Sequence, residues 1–486
     1  MRRIGIFLIL CVIATGFCFG QLPHTFTQYT SEDGLSQNTI MSILQDDKGV
    51  MWFATWDGLY KFDGYTFNNY KAHPGDSIGL SNNRLDNIKE DRYGYIWVQS
   101  YNHQVYRFNP RLERFQAIPY DNYLSLDMYV LPCGDVWIIT VQNELIHIST
   151  HPETHEMKAT DFFKSHQISY SEPIKSIFQD SRENQWILTE NGLYRLSRNG
   201  NEEKLSSYFV APPEKDKQPF YDALENNHAI YFTSKQGCVY EYNPDTGQFV
   251  RQEFPTGSSI KTIRQLKKDK LFIGTASDGF FVYEQSSGNH RHYNTRNYPS
   301  LKDNQIKAAY IDTNGEAWIR LNTKGVTHFN PENEQFDHFI LQDKYGKDIV
   351  DSRPEMYIYE DVNGSLWVHP SGGGLAWYDR KNNRIRPFYN PALQSGWSAD
   401  NKVTNVFTDK QGNLWLGSYG NGLEKISFNT NHFHLLTAAP DDTEFPGSNV
   451  RAVYQDRNGY IWTGNKDKII RVYDSQWHYV GNLTSA

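Results

Sequence analysis

Cysteine is scarce in this chain, and its placement excludes a disulfide scaffold. Of the four in 486 residues, Cys11 and Cys18 fall in an apolar leader, while Cys133 and Cys238 sit in different repeats and read as packing residues. Long apolar runs are equally sparse. The stretch from Ile4 to about Phe19, preceded by Arg2 and Arg3 and followed by Gly20-Gln21, has the build of a secretory signal peptide and is short for a membrane span. No later segment approaches the ~20 apolar residues that a spanning helix needs. Positive charge is in deficit as well, with 48 Lys and Arg against 56 Asp and Glu for a net charge of -8. Loss of Arg2 and Arg3 with residues 1–20, which hold no acid, takes this to -10 and argues against nucleic acid as a partner.

Catalytic signatures are missing too. There is no His-Glu-x-x-His, no Walker loop, no Gly-x-Ser-x-Gly and no paired Cys motif, so the chain reads as non-enzymatic, without cofactor or metal. Turns such as Asp312-Thr313-Asn314-Gly315 lack the further ligands and the Glu of a calcium loop and read as turns.

What the chain does have is aromatic residues, 15% against 21% charged, the composition of a β-rich globular protein. They recur in phase. Trp52, Trp97, Trp137, Trp186, Trp318, Trp367, Trp415 and Trp462 stand 40 to 49 residues apart once Tyr231 and Phe272 fill the gaps, giving ten units. Six units place Asp-x-x-Gly just before the Trp, beginning at Asp46, Asp91, Asp312, Asp361, Asp409 and Asp456, which is hairpin chemistry. A second Gly follows the Trp in most units, as at Gly58, Gly192 and Gly422. Four short strands per unit at this period predict an all-β fold of tandem β-propellers, with the Trp wedged between neighbouring blades.

Ten blades exceed the usual ~4 to 8 of one ring. Phe26-Thr27-Gln28-Tyr29 matches the outermost strand Phe67-Asn68-Asn69-Tyr70 yet precedes any complete blade, so it is expected to complete the last blade of a ring and remove its open edge. The expected division is a signal peptide over 1–20, a seven-bladed ring over 21–330 closed by strand 26–29, and three blades of a second ring over 331–486. In the ninth unit His432 to Leu435 is the expected fourth strand, and Phe336 to Phe339 is expected to serve the second ring.

Trp415-Leu416-Gly417-Ser418 with Gly422-Leu423, the Asp-x-x-Gly turns and the opening Tyr29-Thr30-Ser31-Glu32-Asp33-Gly34-Leu35-Ser36 resemble the two-component regulator propeller repeat. The resemblance covers essentially the whole mature chain. It implies the periplasmic sensor region of a hybrid histidine kinase: two seven-bladed propellers, then a sandwich, a membrane helix and kinase domains. It further implies an oligosaccharide ligand and a homodimer in the full-length receptor, joined to the membrane only through downstream segments that this sequence does not include. The mature chain is accordingly expected to be periplasmic or secreted.

Recognition is expected in the loops joining the second and third strands, because loops on a rigid scaffold carry function. The candidates are Trp56 and Asp57, then Tyr101, Asn102 and His103, then Asn143, Glu190, Lys235, Asp278 and Lys324, with Tyr419 and Asn421 in the ninth unit. Aromatic faces beside amides and carboxylates suit sugars. Trp56 and Tyr101 stand out because they lie outside the core phase; Trp377 and Trp397 are off-phase without an assigned role. The alternative is a propeller glycoside hydrolase or lyase; retaining hydrolysis needs two carboxylates about 5 to 5.5 Å apart. Asp57, Glu190 and Asp278 are its candidates.

Overall fold

The Trp that marks each unit belongs to the second strand of a four-stranded antiparallel sheet. In the first unit the strands are Ile40–Gln45, Met51–Thr55, Gly58–Phe62 and Phe67–Tyr70, paired in sequence order. The computed structural model describes residues 24–72, 79–170, 172–199, 202–212, 215–267, 269–340, 356–361, 364–370, 375–388, 403–428, 450–465, 469–475 and 479–484. These residues form ten such sheets. Blade 1 spans 40–70, and blades 2 to 8 span 85–117, 125–161, 174–208, 220–253, 260–293, 306–339 and 356–388; blade 9 spans 403–427 and a further blade 450–484. The expected all-β fold of four-stranded blades is what is found. The expected signal peptide, the strand His432 to Leu435, and Trp397 lie outside the described residues. No helix among the described residues is long and apolar enough to cross a membrane.

The Asp-x-x-Gly turn does more than reverse the chain. Its carboxylate accepts the indole N–H six residues on, at 2.9 Å from Trp52 to Asp46, 2.7 Å from Trp97 to Asp91, 2.8 Å from Trp367 to Asp361 and 2.8 Å from Trp415 to Asp409. Asp180 and Trp186 repeat the bond at 2.9 Å, with Glu183 at φ 62° standing where other units have Gly. A buried indole needs such an acceptor, since an unmade bond there costs about 1–3 kcal/mol. Up to blade 9, each ring in turn packs against the following blade. Trp52 joins Leu85, Ile88 and Val98 of blade 2, Trp186 joins Phe220 and Phe232 of blade 5, and Trp318 joins Leu366 and Val368 of blade 8.

Nine clusters of this kind run from blade to blade, and the ninth closes the cycle. Trp415 and Leu423 of blade 9 pack with Ile40, Ile43, Phe53 and Tyr60 of blade 1. Hydrogen bonds repeat the same handover. The loop glycine of one blade donates to the entry of the next, Gly58 to Asn83 O at 2.8 Å, Gly279 to Asn304 O at 2.8 Å, and Gly422 to Asn38 O at 2.9 Å. On the other ring face the residue after the turn Asp donates to a side chain of the next blade: Asp47 to Glu90, Thr313 to Glu360, and Lys410 of blade 9 to Gln45 of blade 1 at 2.7 Å.

This differs from the expected seven-plus-three division. Phe26 to Tyr29 does act as a fourth strand, but its partner is Leu423–Ser427, with Thr27 opposite Lys425, rather than the strand ending at Asn330. The reason is occupancy. Gln335–Phe339 pairs with Val326–Asn330 inside blade 7, which leaves no vacancy there, whereas blade 9 supplies only three strands of its own among the described residues. The chain accordingly divides after Phe428, not at 330: one unit runs to Phe428 and holds nine blades, and a second, from Asn429, holds the blade 450–484.

The first strand of most blades carries a one-residue bulge at its start. Met41, Asp86 and Leu126 are the extra residues in blades 1, 2 and 3. A bulge turns its side chain out of the pleat, here beside the loops of one ring face.

Candidate functional site: the ring seam

The loop after the second strand is stitched to the start of its own blade. The backbone N–H of Tyr101 donates to Arg84 O at 2.9 Å, Val141 to Leu124 O at 2.8 Å, Glu190 to Pro173 O at 2.9 Å and Ala276 to Ser259 O at 2.8 Å. Loops and strand entries therefore share one ring face, and the predicted residues fall on it.

Closure between blades 9 and 1 brings two of them together, and Arg84 of blade 2 adds a third. Thr39 forms a bridge with Tyr419, and the Tyr419 and Trp56 rings meet edge to face with centroids 4.9 Å apart. The Arg84 guanidinium lies over Trp56 at 3.9 Å and over Tyr101 at 3.7 Å, so it is sandwiched between two aromatic faces from blades 1 and 2. A continuous strip results, Tyr419, Trp56, Arg84 and Tyr101, drawn from three blades. Each guanidinium–ring contact is worth about 0.5–2 kcal/mol, which holds the strip in one arrangement. Tyr101 remains 52% exposed, and Leu124 and Val141 of blade 3 extend the apolar surface beyond it.

Polar capacity is left over at the same seam. The Trp56 indole N–H, Arg84 Nε and Asn38 Oδ1 are buried without a hydrogen-bond partner among the described residues. Such orphans are costly, and proteins concentrate them where structure serves something other than packing. Asp86, the bulge residue next to Arg84, has its carboxyl pushed up by burial, against the opposing pull of Arg84 and His103.

The other predicted residues are engaged locally. Asp57 pairs with Lys71 and Ser36 in a knot that also holds Asn69, whose amide donates to Tyr60 OH at 2.6 Å. Asn102 takes the Ser100 hydroxyl at 2.6 Å and donates to Ser81 at 2.9 Å. His103, at φ 63°, meets Ser125 O at 2.9 Å and ties blade 2 to blade 3. Asn143 serves the same end through the Ile174 N–H at 3.2 Å. Glu190 pairs with Lys175 at 2.7 Å, Lys235 donates to Lys217 O, and Asp278 accepts from Asn294 at 3.3 Å. Asn421 accepts Gln28 Nε2 at 3.0 Å, fastening the N-terminal strand, and Lys324 is exposed. Asp57, Glu190 and Asp278 stand on blades 1, 4 and 6, each with its own local partner. Trp377 lies directly across from Trp367 in the sheet of blade 8, which makes it a packing residue.

Arg84 was not among the predicted residues. Its only signal is a cation immediately before an inner strand, next to Asn82-Asn83; its meaning depends on two loops that meet in space.

Three segments, residues 34–57, 398–420 and 444–467, match the family described as two component regulator propeller. The first holds Asn38, Thr39 and Trp56 and the second holds Tyr419, so two matched segments meet at the seam. The chain is 25% identical to histidine kinase P4 of Formosa agariphila, over 96% of this chain and 38% of that protein's length. It is similar to the extracellular domains of two putative hybrid two-component systems of B. thetaiotaomicron. One is matched at 17% identity over 96% of this chain and 74% of that chain, with a TM-score of 0.35; the other at 18% over 95% and 67%, with a TM-score of 0.34.

Proposed function

This chain carries two-component regulator propeller repeats, and on that premise we propose that it is the ligand-sensing part of a periplasmic receptor, binding an oligosaccharide on the seam face of its ring. The observation that carries the reading is the strip Tyr419, Trp56, Arg84 and Tyr101. Sugar C–H faces stack on aromatic rings while hydroxyls take hydrogen bonds from guanidinium N–H groups. A rigid strip loses little entropy when a ligand lands on it.

Signalling then requires a ligand that binds one arrangement of the receptor better than another, since equal affinity shifts nothing. Blades stitched on both faces are stiff, so the change is assigned to packing between receptor copies in a homodimer that ends in a histidine kinase. The leader over residues 1–20 supports export to the periplasm.

Calorimetry with a panel of plant and host oligosaccharides, neutral and acidic, tests the reading. Saturable binding is expected, weakened at least ~10-fold by Trp56→Ala and by Arg84→Ala. Binding that survives both substitutions unchanged, or an absence of binding across the panel, defeats it.

A further inference from the structure

The bulge at the start of each inner strand is a constant backbone device that presents a variable side chain. In blades 4, 6 and 7 the extra residue is Lys175, Lys261 and Lys307, and in blade 5 Tyr221 lies within the bulge. Two of these positions meet: Lys261 Nζ of blade 6 lies 3.1 Å from the centre of the Tyr221 ring of blade 5. Four consecutive blades thus carry Lys, Tyr, Lys and Lys at one level of the same face that bears the seam strip.

The local acids are already spoken for. Glu190 holds Lys175 at 2.7 Å, and Asp222 holds Arg264 at 2.5 Å while accepting the Ile263 N–H at 3.1 Å. Lys261 and Lys307 are exposed, and no carboxylate among the described residues lies within ion-pair distance of either. In a chain of net charge -8, two uncompensated lysines on one face, with exposed Lys324 on the adjoining loop of blade 7, are a departure from the average surface.

We infer that Lys261 and Lys307, with Tyr221 between Lys175 and Lys261, form a subsite for the carboxylate or sulfate groups of an acidic saccharide. The inference rests on the sensor reading above and adds the ligand's charge. Tyr221 supplies a stacking face and keeps the Lys261 ammonium poised, while Lys307 supplies a second, unshared cation. Ammonium groups suit this role because they bind anions as point charges, without requiring one planar geometry.

The test compares dextran sulfate with dextran of the same length, which share a backbone and differ in charge. Dextran sulfate is expected to bind more tightly, with affinity falling as salt rises. The double variant Lys261→Gln, Lys307→Gln is expected to lose about 10-fold in affinity for dextran sulfate, while Lys261→Arg, Lys307→Arg keeps it. Both lysines are exposed, and an unchanged melting temperature verifies that the fold is intact. Equal affinity for dextran and dextran sulfate, or equal affinity of wild type and the glutamine variant, overturns the inference. Neutral oligosaccharide binding that still depends on Trp56 would in that case leave the sensor reading standing; its loss would remove that reading instead.

Discussion

Asp409 performs two tasks with one carboxylate. Oδ1 accepts the Gln411 and Asn413 N–H groups and shapes the turn, while Oδ2 accepts the Trp415 indole at 2.8 Å. Asp409→Ala is expected to cost about 1–3 kcal/mol in urea denaturation, because a buried indole N–H is left without its acceptor. The turn half of this role was legible in the sequence from Asp and Gly alone. The indole half was not, since it depends on strand curvature that brings position six back over the turn. Blade 3 shows why pattern alone falls short: it lacks the Asp, and the Trp137 indole donates instead to Gln185 of blade 4. A second residue carries a pH signature. Glu90 is pushed up from 4.5 to about 7, first by burial and then by Asp47 and Asp46. With the folded value above the unfolded one, the unfolded chain ionises first, so stability falls as pH rises from about 4.5 to about 7. Thermal melts of Glu90→Gln against wild type are expected to show the variant gaining relative stability across that window; a constant difference at all pH values contradicts the assignment.

At the scale of elements, strand phase was readable and strand partnership was not. Phe26 to Tyr29 announces itself as a fourth strand by its likeness to Phe67–Tyr70, yet hydrophobic alternation says nothing about which blade has a vacancy. Phe336 to Phe339 fits its own blade 7 and a neighbouring ring equally well on pattern; hydrogen bonding to Val326–Asn330 decides it. The same pairing made Tyr419 a neighbour of Trp56 and so assembled a strip that sequence reasoning had distributed over two rings. Gly422 is the element's weak point. It takes φ +81°, and a Cβ there collides with the Tyr29 carbonyl oxygen of the closing strand. Gly422→Ala is therefore expected to destabilise by about 1–3 kcal/mol. Gly64→Ala, at φ +103° with nothing within 4 Å, is expected to cost less in the same chemical melts, which isolates the collision from backbone strain.

At the scale of the whole molecule, the nine blades up to Phe428 share a closed cycle of apolar clusters, and the blade 450–484 belongs to a second compact unit. Val453 and Tyr454 of its inner strand are more than half exposed. A single small four-stranded sheet is marginal in water on its own. Denaturation is expected to proceed in two steps, the first lost when residues 429–486 are deleted and the second unchanged; one cooperative transition in the full chain contradicts this division. The central claim is that the ring closes through blade 9, because only then does Tyr419 join Trp56, Arg84 and Tyr101 in the seam strip. Thr27 stands directly opposite Lys425 in that closure. With Cys133 and Cys238 replaced by serine, Thr27→Cys with Lys425→Cys is expected to form a disulfide in the folded protein, while Thr27→Cys with His328→Cys, the equivalent pair for a seven-bladed ring, remains reduced. The opposite result, a cross-link to position 328 and none to 425, contradicts the nine-blade closure and the site built on it.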